Sequence, residues 1–111
     1  MATLRDILPE GWASGMSRDG IINRPIPAEA FATSFGLMQL VWAQIVAHLV
    51  LTQWMLELQL FDASNAPSSL AEALGVAHNA RLLPPKDEGI LRAVNRRANE
   101  AKHNLVFASR L

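Results

Sequence analysis

From Ala30 to Leu56 the chain runs for 27 residues without a charged side chain or a proline. Leu, Val, Ala, Met, Phe and Gln dominate the run, a pattern that belongs to a helix rather than a strand or a loop. Pro27 suits the first helical position, and Glu29 then falls in the first turn, where the helix dipole favours a negative charge. Asp62-Ala-Ser-Asn-Ala-Pro67 marks the other end. The run therefore predicts one central helix over 28–61. At 1.5 Å per residue it would reach roughly 50 Å, against a radius of gyration of about 13 Å expected for a domain of this size. One short chain cannot cover such a helix, so a partner surface is expected.

The distribution of polar residues on that helix sharpens the expectation. Gln44, His48, Thr52 and Gln59 fall along one stripe, and Gln39, Gln53 and Glu57 lie on nearly the opposite side. Apolar residues fill both flanks between them, so the helix has two neighbours to meet. One is the C-terminal helix of the same chain; the other is a second subunit. Gln44, His48 and Thr52 form a candidate buried polar stripe for binding, with His48 expected to pair with Gln44 or Thr52 one turn away. The run is also long enough to span a bilayer. A single span at about 34–58 is therefore an alternative, but Gln39, Gln44, His48, Thr52 and Gln53 interrupt it, and a membrane is not the expected environment.

The rest of the chain reads as shorter helical pieces around this one. Thr3 is placed to cap a short helix through Leu8. Residues 9–27 hold Pro9, Gly11, Gly15, Gly20, Pro25 and Pro27 and read as a long loop, with Trp12, Met16, Ile21, Ile22 and Ile26 available to pack it over the bundle. Ser69-Leu-Ala-Glu72 fits a capping box opening a short helix over 69–83. Pro85 starts a C-terminal amphipathic helix over 85–109, with Leu91, Val94, Ala98, Ala101, Leu105 and Ala108 as its apolar seam. The expected fold is a single all-α domain spanning 1–111. Its two long helices form a hairpin, and dimerisation completes the bundle.

Net charge is zero but unevenly spread. Residues 86–111 carry six Lys and Arg against three acids, and residues 1–85 carry four Arg against seven acids. Such a division favours self-association and falls short of the basic surface of a duplex DNA binder. A helix-turn-helix over 69–83 is also disfavoured, because Pro84 truncates its second helix. The chain has no cysteine, which excludes disulfides and thiolate metal sites. The N-terminus shows no signal-peptide pattern, so a cytoplasmic location is expected.

One constellation points to chemistry. Arg96 and His103 are seven residues apart and share a face of the C-terminal helix, with Asn99 between them. Arginine stabilises phosphate charge, histidine transfers protons and asparagine orients either, a set suited to cleaving a phosphodiester without a metal. Arg96-Arg97-Ala-Asn99-Glu-Ala-Lys-His103 resembles the motif of HEPN-type helical domains, an arginine followed four to six residues later by a histidine. The resemblance covers these eight residues and the general all-helical build. It implies a ribonuclease, as in toxin or defence proteins, with a composite site at a dimer interface. Arg96 or Arg97 would contact phosphate, His103 would act as acid and base, and Asn99 would support them. RNA is an expected partner on that reading alone.

His48, His78 and His103 are far apart in sequence, so no metal site is expected, and no motif implies a cofactor. The primary expectation is thus a non-enzymatic homo-oligomer acting through protein–protein interaction.

Overall fold

The computed structural model of the chain describes residues 1–32 and 38–109, without the side chains of 31, 32 and 105–109. The fold is all-α. It comprises α1 (Leu4–Ile7), α2 (Ala28–Ala32), α3 (Gln39–Glu57), α4 (Leu70–Asn79) and α5 (Pro85–Ser109), with 3-10 turns at Ala13–Gly15, Ile21–Asn23 and Ala63–Asn65.

The uncharged run is not one continuous helix over 28–61. Met38 is extended, with ψ 144°, and caps α3; residues 33–37 lie outside the described residues. Thr33, Ser34 and Gly36 are weak helix formers, a local signal that the apolar periodicity masks. The far end stops short of 61 as well. Leu60 N–H donates to the Met55 carbonyl and Gln59 N–H to that of Leu56, with Gln59 left-handed at φ 58°. This is a Schellman closure, and it turns the chain away after Glu57.

The same device ends α4. Leu82 N–H donates to the Ala77 carbonyl and Arg81 N–H to that of His78, with Arg81 left-handed at φ 54°. The helix expected over 69–83 therefore ends at Asn79. Its start is as expected, since Ser69 Oγ accepts the Glu72 N–H at 3.2 Å. The Glu72 carboxylate, however, takes the N–H and hydroxyl of Ser68, not the N–H of Ser69.

α3 is the centre of the molecule, and α1, α4 and α5 all pack on it. Val46, Ala47, Val50, Leu51 and Met55 form its buried face. α4 contributes Leu70, Ala73, Leu74 and Ala77, and α5 contributes Leu91, Val94 and Ala98 from the expected seam. The side chains of Leu105 and Ala108 from that seam, and all of Arg110, lie outside the described residues. Burying a residue such as Leu51 or Leu74 stabilises the fold by about 1.5–3 kcal/mol.

Segment 9–27 packs over the bundle. Ile21 and Ile22 are both fully buried, and Met16 and Ile26 nearly so. Its end returns to its beginning: Ile26 N–H donates to the Ala2 carbonyl at 2.9 Å, and Thr3 and Pro25 form an isolated antiparallel bridge. Gly11, at φ 90°, makes the first turn in a conformation that side chains disfavour. Two side-chain contacts then pin the segment. Arg24 lies 4.9 Å over the Trp54 ring and pairs with Glu57 at the end of α3. Asp87, fully buried in the first turn of α5, accepts the Ser17 N–H at 2.9 Å.

Candidate functional site

Asn95 and Asn99 are four residues apart on α5, so their side chains lie one above the other facing α3. Gln44 meets both: its Nε2 lies 2.8 Å from Asn95 Oδ1 and 2.8 Å from Asn99 Oδ1. The same nitrogen lies 3.4 Å from the Asn95 backbone carbonyl, which can only accept. With the Gln44 nitrogen facing α5, both asparagines turn their oxygens inward. Gln44 is 8% exposed, and its Oε1 has no partner among the described residues.

One turn along α3, His48 does not pair with Gln44 or Thr52 as expected. Its Nε2 lies 2.8 Å from the Pro67 carbonyl, in the link before α4. A carbonyl accepts only, so Nε2 carries the proton and Nδ1 is the remaining nitrogen. Thr52 Oγ1 is buried without a partner among the described residues. Gln44, His48 and Thr52 lie along one line of α3, and each has different surroundings.

Around Gln44 and His48 lies a cleft of about 280 Å³ between α3, the start of α4 and α5. Asn95, Asn99, Lys102 and Ser68 line it with them. Behind its rim, the Ser68 N–H and hydroxyl hold the Glu72 carboxyl below the usual carboxylate range.

Arg96, Arg97 and His103 are exposed on α5 and do not line this cleft. The set read from sequence is thus divided: Asn99 faces Gln44, while the two arginines and the histidine face solvent. His78, at the end of α4, is engaged by Glu88 at 2.8 Å, and Arg81 is exposed. Among the described residues no three His, Asp or Glu side chains gather in a way that could hold a metal ion.

Sequence reasoning missed Asn95, Lys102, Ser68 and the Pro67 carbonyl. A signal for Asn95 was available, since it stands beside the buried Val94 and one turn before Asn99. None existed for a backbone carbonyl. The chain matches no protein-family model, no curated protein and no solved structure.

Proposed function

We propose that this is a cytoplasmic, self-associating helical protein that acts through protein–protein contact, with the outer face of α3 as its contact surface. The two long helices α3 and α5 of each copy would pack against those of a second, so that dimerisation completes the bundle. The observation that carries this reading is the outer flank of α3. Met38, Ile45, Leu49, Thr52 and Leu56 fall on one face at near-heptad spacing. Met38, Ile45 and Leu56 are 44%, 47% and 46% exposed, while the opposite flank is the core. No charge lies between positions 38 and 56, so two such faces meet without like-charge repulsion.

α3 is also long and apolar enough to cross a membrane by length and composition alone. Against that use, its inner face is the core of the fold itself.

Sedimentation of the purified chain tests the proposal. At micromolar concentration the expected mass is twice 12.2 kDa, falling to 12.2 kDa for the double variant Ile45→Glu/Leu56→Glu. Both side chains are exposed, so the variant keeps its fold. A monomeric wild-type chain defeats the reading, and insolubility without detergent returns α3 to the membrane.

The HEPN-like ribonuclease is a second reading, supported by the exposure of Arg96, Arg97 and His103 along α5. Without a contact among the described residues, these groups would have to meet their counterparts across a dimer. RNA cleavage abolished by His103→Ala, with the fold intact, is its test.

A further inference from the structure

We infer that the cleft between α3, the start of α4 and α5 binds a small anionic ligand through its carboxylate or phosphate oxygens. The atoms that the cleft offers select such a ligand. The Gln44 amide faces the Asn95 carbonyl, so it donates to both asparagine oxygens. The Nδ2 groups of Asn95 and Asn99 are therefore the free ends of those side chains, and neither has a partner among the described residues. Both residues line the cleft.

Lys102 lines it too, and no carboxylate pairs with it among the described residues. Across from these lies the first turn of α4. There Glu72 N–H is taken by Ser69 Oγ and Ala73 N–H by the Ser69 carbonyl. Leu70 and Ala71, whose N–H groups have no such partner, form part of the wall. Two side-chain amides, one ammonium and the first turn of α4 thus border one space, and among the described residues no carboxylate lines it. Donors in such excess, with a cation among them, select an anion.

Glu72, the acid in the first turn of α4, is turned to Ser68. The acceptors present fit a ligand that also carries a hydroxyl or amine. His48 Nδ1 and the buried Gln44 Oε1 have no partner among the described residues. A volume of about 280 Å³ limits the ligand to a small metabolite.

The cleft shares Ile45 with the face proposed for self-association, while its donors stand on α5 and the start of α4. Nitrogen-15 NMR titration of the full chain with inorganic phosphate, and separately with acetate, tests it and tells the two oxyanions apart. The expected result is saturable binding of at least one. The largest shifts should fall on the Leu70 and Ala71 amides and the side-chain amides of Asn95 and Asn99. Two variants of exposed residues probe the donors. Asn99→Asp keeps the oxygen that Gln44 needs and replaces the donor with a negative charge; Lys102→Ala removes the ammonium. Each should weaken binding by about tenfold or more, the scale of one charge-assisted hydrogen bond. Shifts that grow linearly across all basic residues, or unchanged affinity in both variants, overturn the inference. The masses of the same samples, measured alongside, show whether self-association stands or falls separately.

Discussion

Asp87 Oδ1 accepts the backbone N–H of Ser17 across seventy residues of sequence. The carboxylate is fully buried, and its Oδ2 has no partner among the described residues. It sits in the first turn of α5, where the helix dipole favours its charge. A buried carboxylate in such a place fastens segment 9–27 to the bundle. Asp87→Ala leaves the Ser17 N–H without its acceptor, and the expected loss is about 1–3 kcal/mol in urea unfolding. Hydrogen exchange should rise first across residues 13–24. Gly20→Ala should act in the same direction, because its Cβ would stand 3.3 Å from Asp87 Oδ2.

That contact also shows where sequence stops being informative. Periodicity reports on neighbours along one element, so the Leu91, Val94 and Ala98 seam and the Ser69 cap were legible. The buried isoleucines of 9–27 could be named as cover because they had no other use. Asp87 was legible only as a first-turn acid, since nothing near it in sequence indicates Ser17. The same holds for Gln44, whose partners are 51 and 55 residues away, and for His48, whose partner is a carbonyl. The helix ends were misread for a different reason. Glycine is the usual signal for a left-handed closure, and Gln59 and Arg81 perform it here instead.

Those two closures lead to a stabilisation experiment. A residue with a Cβ in the left-handed region is strained by roughly 1–2 kcal/mol, part of which glycine returns through its greater freedom when unfolded. Both side chains are exposed. Gln59→Gly and Arg81→Gly should therefore each stabilise the fold by about 0.5–1 kcal/mol, read as a higher urea midpoint with an unchanged slope. The two sites belong to different helix ends, so the double variant should show nearly the sum.

Acid should weaken the link between α4 and α5. His78 Nδ1 lies 2.8 Å from Glu88 Oε1, and Arg92 approaches the other oxygen at 3.4 Å. The hydrogen bond from His78, with help from Arg92, holds the Glu88 carboxyl below its ordinary value of 4.5. A carboxyl with a lowered folded value stabilises the fold fully above the unfolded value, and that contribution fades as pH falls through the folded one. Stability should thus be level near neutrality and drop as pH falls below about 4.5. Glu88→Gln should cost about 0.5–1 kcal/mol at pH 7 and flatten the acid limb. Part of the limb should survive, because Ser68 lowers Glu72 in the same sense. Thermal melts across pH 3 to 7 would show both effects, and an unchanged acid limb in the variant would sink the assignment.

Arg24 joins segment 9–27 to the end of α3 in two ways, and they can be separated. Its guanidinium lies 4.9 Å from the centre of the Trp54 ring and also pairs with Glu57. The Glu57 side chain is 63% exposed and that of Arg24 28%, so water screens the ion pair from one side. The stacking contact should therefore carry more of the stabilisation. Glu57→Gln is expected to cost less than about 0.5 kcal/mol. Arg24→Ala loses the ion pair, the ring contact and the packing of its stem, and should cost about 1–2 kcal/mol. Arg24→Lys keeps the charge but not the flat face, and should fall between the two. Added salt discriminates further: it should narrow the difference between wild type and Glu57→Gln while leaving most of the Arg24→Ala deficit in place. Equal losses in Glu57→Gln and Arg24→Ala would mean that the ion pair, not Trp54, holds this end of the segment.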